Sequence, residues 1–323
     1  MDILQDHLAR ARASGGVFAR SVAQPPWGLR LPGTIQLALH TVIQGRAWLW
    51  LEDPAAALEL APGDLALVPG GPDHHIAHQP DAVCSPPERF REQHADDEHI
   101  DRRGTTVFLC GAYRFAGDVG RGLIQALPPA LLLRAAARDP LHDVIALLSR
   151  ELSGAAPGQQ TVLDRLLDVL LVLAMRACFE QSPAAPRWYQ AASDPRLGAA
   201  LHAIHAEASH PWTVPELASL SGLSRAAFAR NFERSLGQAP MHYLTDWRMT
   251  LARDYLRTGE LTVAQIAGRT GYASPNAFAA AFRRHHGQAP GQWQRGELAR
   301  APEPSHGPHS GASIQAAPSA AAH

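Results

Sequence analysis

The sequence predicts an α+β multidomain protein: an N-terminal antiparallel β-sandwich or β-barrel, a helical linker, and an all-α C-terminal domain with two helix–turn–helix motifs. Two observations carry this prediction. Between residues 28 and 115, short apolar runs alternate with turns that contain Gly and Pro, which is typical of antiparallel strands. Near the C-terminus, residues 213–243 and 262–293 repeat one pattern, which opens with Thr-Val and contains Gly-Gln-Ala-Pro near its end.

Length and charge support two domains of different kinds. A chain of 323 residues is long enough for two domains that each bury a core. All 29 basic side chains are Arg; residues 194–300 hold 12 of them against 8 acidic residues, whereas residues 1–193 hold 17 against 21. A basic C-terminal part joined to an acidic N-terminal part is typical of a nucleic-acid-binding domain attached to another domain.

The cellular compartment is predicted from cysteines and apolar runs. The three cysteines have no spacing pattern, which favours a reducing compartment over a disulfide framework. Residues 1–16 contain acids and no apolar core, so we do not expect them to form a signal peptide. The most apolar run, residues 162–179, is interrupted by charged side chains and is not expected to span a membrane. We therefore expect a cytoplasmic protein without a membrane partner.

The N-terminal third is expected to be mostly strands. Residues 1–26 are expected to form a short helix followed by a loop that ends at Pro25-Pro26. Strands are expected at residues 35–39, 47–51, 58–60, 65–68 and 105–110, where apolar residues alternate with others or form short runs between turns. Gln44-Gly45 has the composition of a tight turn between the first two.

Residues 63–74, GDLALVPGGPDH, carry a more specific signal. They match the second cupin motif: Gly63, five residues, Pro69, one residue, Gly71, two residues and His74. The N-terminal domain therefore resembles a cupin β-barrel. In cupin enzymes, two His and a carboxylate of the first motif bind a metal together with this His. Here His40 lacks a His-x-His partner and Ala38 stands near the position of the carboxylate, so the resemblance implies a broken metal triad.

The middle of the chain is predicted to be a charged loop followed by helices. Residues 84–104 are expected to form a long mobile loop; metal binding by its His94, Asp96, Asp97 and His99 is the less favoured alternative. Helices are expected at residues 143–152 and 159–181. The second is apolar on more than one stripe, so we expect it to contact a second subunit, with a buried intradomain helix as the alternative.

The predicted domain boundaries follow from these segments. Residues 1–127 form the cupin-like domain and residues 128–193 the helical linker and dimerisation segment, which ends in an irregular stretch at 183–193. Residues 194–300 form the C-terminal domain. Residues 301–323 are of low complexity and are expected to be a disordered tail.

The two repeated copies share a helix–turn–helix scaffold. Each copy opens with a capping box, ends its first helix at a glycine and caps its second helix with a serine. These residues are Thr213, Glu216, Gly222 and Ser224 in the first copy and Thr262, Gln265, Gly271 and Ser274 in the second. A helix at residues 194–207 is expected before the first copy, and a helix at 240–259 joins the copies.

The second helix of each copy has one face that a DNA major groove would contact. Two phenylalanines four residues apart must face the core, which leaves the opposite face exposed. In the first copy that face carries Ala226, Ala229, Arg230, Glu233 and Arg234, with Arg225 as a further candidate contact. In the second copy it carries Asn276, Ala279, Ala280, Arg283 and Arg284.

The two faces differ in the base contacts they offer. Arg230 is the best candidate for a bidentate contact with guanine, which gives ~1–3 kcal/mol of discrimination. Arg225 and Arg234 are expected to contact phosphates. We predict that the first copy reads sequence and that the second mainly holds the backbone through Arg283 and Arg284.

Residues 271–293, GYASPNAFAAAFRRHHGQAPGQW, resemble the second-repeat signature of the AraC/XylS family of bacterial transcription regulators. The resemblance extends over the C-terminal domain. It implies two motifs that enter successive major grooves on one face of double-stranded DNA. It also implies a second domain, commonly cupin-like, that senses a signal and often mediates dimerisation. A second copy and RNA polymerase are therefore expected partners.

Candidate sensor residues of the N-terminal domain are His40, His74, His75, Cys84, Cys110, Trp48 and Trp50. A cluster of His40, His74 and Cys110 would suit zinc. Alternatively, Cys84 and Cys110 form a redox pair, or a small organic effector lies among Trp48, Trp50 and other barrel residues. The fourth possibility is that these cysteines are only buried, as is expected of Cys178.

These features favour a DNA-binding transcription regulator controlled by a cupin-like sensor domain, with no catalytic residues. Two other classes of protein are less favoured. A cupin-type metal-dependent enzyme fused to a DNA-binding domain is opposed by the broken triad. A DNA-repair methyl acceptor requires a reactive Cys motif, which the sequence lacks.

Overall fold

The computed structural model describes residues 3–300 apart from 12, 95–103, 135–138, 153, 155 and 183–184. The prediction of a loop at 84–104 is wrong in part, because Pro87–Gln93 form a helix whose Phe90 packs against Trp27 and Phe108. Asp96, Asp97 and His99 of that segment, and the predicted tail at 301–323, lie outside the described residues. The strands are β1 (Ser14–Ala23), β2 (Gly28–Leu31), β3 (Leu37–Gln44), β4 (Ala47–Trp50), β5 (Leu58–Leu60), β6 (Leu65–Pro69), β7 (His74–Ala77), β8 (Thr106–Arg114) and β9 (Leu131–Leu133).

Helices occur between the strands and make up the C-terminal part. They are α1 (Ile3–Arg10), α2 (Pro87–Gln93), α3 (Gly117–Gln125), α4 (Pro140–Leu152), α5 (Gln159–Gln181), α6 (Arg187–Ala192), α7 (Gly198–Ala206), α8 (Val214–Leu220), α9 (Arg225–Leu236), α10 (Pro240–Thr258), α11 (Val263–Arg269), α12 (Pro275–His286) and α13 (Pro290–Arg300). In the part of the chain that is described, none of these helices is both long and apolar enough to cross a membrane.

The N-terminal strands form two antiparallel sheets. One has the order β1-β8-β3-β6-β9 and the other the order β2-β7-β4-β5. Alternation along β3 assigns its two faces: Ala38 and Val42 join the core between the sheets, whereas Leu37 and Leu39 face the helices outside. The predicted α+β architecture with a cupin-like N-terminal domain is confirmed.

The expectation of a loop before Pro25 is wrong in part. Helix α1 is present, but residues 14–23 form β1, which pairs with β8 from Ser14↔Arg114 to Ala23↔Thr106. The segment SGGVFARSVA has two glycines and little apolar alternation, so its sequence does not indicate a strand. Its strand conformation comes from the long-range ladder with β8.

Helices α4 and α5 cover the outer face of the five-stranded sheet. Their apolar residues share one core with Leu39, Leu65 and Tyr113 of the sheet. The Tyr113 hydroxyl donates to the Leu167 carbonyl at 2.9 Å, which ties β8 to α5. Cys178 is fully buried in this core, as expected.

The stretch predicted as an irregular linker at 183–193 contains α6, which corrects the prediction. Trp188 and Tyr189 of α6 pack against Phe179 of α5. An amphipathic segment of six residues is stable as a helix here because it fills the space between α5 and the C-terminal helices. The helix expected from residue 194 begins later, at Gly198, after a turn in which Asp194 accepts from the Arg196 amide at 2.7 Å.

The duplicated scaffold folds as predicted. Both capping boxes are formed, and the Thr213 and Thr262 hydroxyls each accept from a backbone amide three residues on. Gly271 has a φ of +76° and a Cβ there would clash with the Ser209 carbonyl, so glycine is required at this turn. Each copy has its own core around its two phenylalanines, and α10 joins the copies.

Candidate DNA-binding surface and sensor-domain centre

The first candidate reading helix is α9. Phe228 and Phe232 are completely buried, and this fixes the rotation of the helix. Arg225, Ala226, Arg230 and Arg234 are therefore exposed, whereas Ala229 is half-buried. The Ser224 hydroxyl accepts from the Ala227 amide at 3.3 Å and caps the helix.

The arginines on α9 differ in their freedom to reach DNA. The Arg234 guanidinium donates to the Asn231 side chain at 2.7 Å, so it is held along the helix. Among the described residues, Arg230 has no ion pair. A free guanidinium on an exposed helix face can present its planar donors to a base edge.

The second candidate helix is α12, which Ser274 caps in the same way. Its face exposes Asn276, Ala280, Arg283 and Arg284, with Ala279 half-buried. Near its end, His285 bonds to Asp246 of α10 at 2.9 Å, which fixes α12 on the joining helix. Both sets of predicted DNA-contacting residues thus lie on helix faces accessible to solvent.

A buried chain of polar groups lies between the two sheets of the N-terminal domain. The Cys110 sulfur is 3.1 Å from Nδ1 of His40, and Nε2 of His40 is 2.9 Å from Nε2 of His74. Nδ1 of His74 is 3.0 Å from the Pro72 carbonyl. The register explains the first contact, since His40 on β3 stands directly opposite Cys110 on β8.

One set of protonation states allows all the hydrogen bonds between Cys110, His40, His74 and the Pro72 carbonyl to form. His74 donates from Nδ1 to the carbonyl, His40 donates from Nε2 to His74, and the Cys110 thiol donates to Nδ1 of His40. Burial, and then the proximity of His74, hold the pKa of His40 well below its usual value. Burial also lowers the pKa of His74 and raises the pKa of Cys110 to about 12. All three groups are consequently neutral at physiological pH.

The chain matches known proteins in both halves. Residues 2–180 match the model of the family described as Cupin, and residues 217–296 match the model described as Helix-turn-helix domain. The chain belongs to the AraC/XylS family of transcription regulators, with an N-terminal cupin domain.

Relatives in this family are similar along most of their length. A Streptomyces antibioticus protein named for its likeness to AraC is 29% identical over 91% of this chain and 99% of its own. The transcriptional regulator AlkR of Acinetobacter baylyi is 28% identical over 84% and 92%. The RCS-specific transcriptional activator RclR of Escherichia coli is 28% identical over 91% and 97%.

A solved structure is similar to the C-terminal domain. The DNA-binding domain of AdpA, the global transcriptional factor, crystallised with a target DNA, is 32% identical over 34% of this chain and 99% of its own, with a TM-score of 0.32.

His40, His74 and Cys110 of this AraC/XylS protein are brought together, as the metal hypothesis requires, but not around one point. Cys110 and His74 contact opposite nitrogens of the His40 ring. A metal bound between the two Nε2 atoms would therefore have no thiolate on its side. Among the residues the structure describes, no three His, Cys, Asp or Glu side chains form a group that could hold a metal ion. The residues present do not fit a zinc site without rearrangement.

The other candidate sensor residues lie outside the hydrogen-bonded group of Cys110, His40 and His74. Cys84 donates to the Ala82 carbonyl at 3.3 Å and lies against Gly28 of β2. Trp50 stacks on His75 at 5.2 Å, and Trp48 shares their face of the four-stranded sheet, opposite the core formed by Ala47 and Leu49. Trp48 and Trp50 thus do not surround an interior ligand space.

The cupin domain contains a cavity of about 660 Å³ that the sequence analysis did not locate. Most of its lining is apolar, and Arg91 and Arg114 are exposed at its edge. The apolar lining includes Leu29, Leu31, Ile35, Phe90, Ala112 and Phe115, and Cys110 contributes the thiol. Alternation along β8 places Cys110, Ala112 and Arg114 on one face, which is the signal that could have indicated a shared lining.

The two domains meet at an ion cluster that the sequence analysis also missed. Asp118 of α3 pairs with Arg257 of α10 at 2.9 Å and also with Arg253. The Asp118 amide donates to the Asp254 carboxylate at 2.7 Å. These residues are more than 130 positions apart, so no local pattern in the sequence relates them.

Proposed function

We propose that this transcription regulator senses a small, largely apolar effector in the cupin cavity and transmits its binding to α10, the helix that joins the two DNA-binding motifs. The observation that carries the proposal is the short distance in sequence between the cavity lining and Asp118, which contacts α10. Strand β8 and the residue that follows it, Phe115, line the cavity, and only three residues later Asp118 makes its ion pairs with α10. A displacement of the end of β8 therefore acts directly on the contact with α10.

The cavity is suited to such an effector by size and lining. A volume of about 660 Å³ lies within the range of small-molecule sites, ~300–1,000 Å³, and an apolar wall with few polar groups is their usual composition. The guanidinium groups at the edge favour a ligand that carries an anionic group.

The fluorescent probe 1-anilinonaphthalene-8-sulfonate tests the cavity, since it is apolar and carries one sulfonate. We expect saturable binding by the wild type and loss of binding by Ala112→Trp, which fills the cavity from β8. Val83→Trp adds the same ring at a residue that is 91% exposed and serves as the control. Equal binding by the two variants would contradict the proposal.

We propose that α9 recognises the base sequence of the operator and that α12 mainly contacts the phosphate backbone of the DNA. The support is that Arg230 on α9 is exposed and has no ion pair with any residue that the structure describes, whereas α12 presents the apolar Ala279 and Ala280. Nuclease protection on the DNA upstream of the gene identifies the site, and absence of protection at any salt concentration would oppose the regulator assignment.

Arginine variants then test the division of roles. Arg230→Ala should weaken binding to the operator by ~5- to 150-fold, as ~1–3 kcal/mol implies, and relax discrimination at one base pair. Arg284→Ala should weaken binding to all sequences and reduce the salt slope by about one. Arg46→Ala, an exposed arginine of the cupin domain, is the control. Loss of discrimination in Arg284→Ala but not in Arg230→Ala would reverse the assignment.

We propose that the regulator is a homodimer joined through α5. Val162, Leu166, Val169 and Leu173 form a stripe at spacings of three or four on its outer side, and Val162 and Val169 are 41% and 46% exposed. A second copy that presents the same stripe would bury these side chains. RNA polymerase is the further partner we propose for a cytoplasmic protein that acts at promoters.

Thiol-based sensing is the second candidate, because Cys110 lines the cavity. The raised pKa of Cys110 and its 3% exposure oppose it, since the thiolate is the reactive form. We propose no enzymatic role, because Ala38 offers no metal ligand beside His40. Operator binding by Cys110→Ser, measured with and without oxidant, separates the candidates: an unchanged oxidant response would remove the thiol-based one.

A further inference from the structure

We propose that His7 and His205 form a proton-released latch that holds the cupin domain against the DNA-binding domain at neutral pH. Helix α1 packs against both domains. Leu4 packs in the core of the cupin domain, whereas Ile3 packs in the core of the first DNA-binding motif. His7 is one turn after Ile3 and faces the same motif.

His7 enters an aromatic box built by α6 of the linker and by α7 and α10 of the DNA-binding domain. Its ring stacks on Trp188 of α6 at 4.1 Å and on Trp247 of α10 at 5.1 Å. The His205 ring of α7 lies 5.1 Å from His7 and 4.3 Å from Trp247. Two buried imidazoles in contact with each other thus form part of the interface between the domains.

The hydrogen bonds around His205 leave no acceptor for a second proton on its ring. Nδ1 of His7 is 2.9 Å from the Ile3 carbonyl and acts as the donor. Nε2 of His205 is 2.8 Å from the Tyr243 hydroxyl. Nδ1 of His205 is buried and has no hydrogen-bond partner among the described residues. A second proton on His205 would therefore be a buried charged donor without an acceptor, which is strongly unfavourable.

The surrounding charges also oppose protonation. The Arg10 guanidinium of α1 lies over Trp247 at 5.7 Å, and it repels a proton on either histidine, as does His202 of α7 on His205. Asp6 favours a proton on His7, but it is engaged by Arg10 at 2.8 Å. The partners from α6 and α10, namely Trp188, Trp247 and Tyr243, bring no negative charge at neutral pH.

The direction of the pH effect follows from linkage. Burial is the main cause that lowers the pKa of both histidines in the docked state below 6.5, their value when exposed. The separated domains therefore bind more protons below pH 6.5. Docking is fully favoured above that pH, and it weakens as the pH falls towards the docked-state pKa values. The loss is at most ~10-fold per pH unit for each histidine.

Tryptophan emission tests the latch on the full-length protein, because Trp188 and Trp247 are part of it. In a titration from about pH 8 to about pH 5, we expect a wild-type change below pH 6.5 that takes up more than one proton. Far-UV circular dichroism should stay constant. His7→Asn and His205→Gln keep a hydrogen-bonding group in place of the ring nitrogen. Each should make the change less steep, and the double variant should abolish it.

Two controls separate the latch from other titrations. His142→Gln alters a half-buried histidine on α4, which is not part of the box, and should keep the wild-type steepness. Amide hydrogen exchange in α1, corrected for the intrinsic rate, should increase at about pH 5.5 in the wild type and not in the double variant. Emission that is independent of pH, an unchanged titration in the double variant, or loss of circular dichroism together with the emission change would each overturn the proposal.

Discussion

The contact between α3 and α10 can be tested with one substitution, because the single carboxylate of Asp118 forms ion pairs with several arginines there. Asp118→Asn keeps the shape of the side chain and removes its charge. The Asp118 side chain is 7% exposed, and its partners Arg253 and Arg257 are 31% and 26% exposed. The third partner, Arg121, is largely exposed and is expected to contribute little.

The expected magnitude follows from this burial. Removal of one partner of a fully buried pair costs ~3–5 kcal/mol. Partial exposure of both arginines lowers the value here, so we expect a loss of ~2–3 kcal/mol, or ~30- to 150-fold in the docking equilibrium. Urea unfolding followed by tryptophan emission measures it. Asp168→Asn, in an exposed pair with Arg165 on α5, should cost less than ~0.5 kcal/mol. Equal losses in the two variants would refute the reasoning.

The pH dependence separates this contact from the histidine latch. Burial alone would raise the pKa of Asp118, but the Arg121 hydrogen bond and the charges of Arg253 and Arg257 outweigh it and lower the pKa below 3.8. The stabilisation is therefore complete above that pH and is lost as the pH falls through the lower native value. The difference between wild type and Asp118→Asn should stay constant from about pH 8 to about pH 5.

Three further variants test other parts of the molecule. Val169→Asp should convert the proposed dimer to a monomer in light scattering coupled to gel filtration, whereas Val83→Asp should leave the mass unchanged; a wild-type monomer would contradict the α5 interface. Tyr113→Phe removes the donor to Leu167 and should lower the free energy of unfolding by about 1–2 kcal/mol. Thr213→Ala removes the cap of α8 and should cost about 1 kcal/mol, while Thr213→Ser should cost nearly nothing.

The local features of this fold could be predicted from the sequence. Capping boxes, turn glycines and phenylalanine pairs act within four or five residues. The positions of α8, α9, α11 and α12 can therefore be predicted from the sequence itself. The cupin motif is similarly local, since its Gly63 lies in the turn before β6 and its Gly71 in the turn between β6 and His74.

Segments that depend on distant partners were predicted less well. Strand β1 has weak strand signals and forms because β8 accepts its backbone hydrogen bonds. Helix α6 forms because Trp188 and Tyr189 find apolar neighbours on α5. Neither partner is recognisable from the segment alone.

The sequence by itself determined that this protein carries two DNA-binding motifs and a cupin domain, because those signals consist of short-range spacings. Only the tertiary structure decided how the sensor residues are arranged. It joined His40, Cys110 and His74 in one buried chain, turned Trp48 and Trp50 away from the interior, and opened the cavity beside β8. It also placed His7 and Asp118 against the DNA-binding domain. The physical reason is that contacts between residues far apart in the chain depend on sheet register and helix packing, which local sequence patterns do not specify.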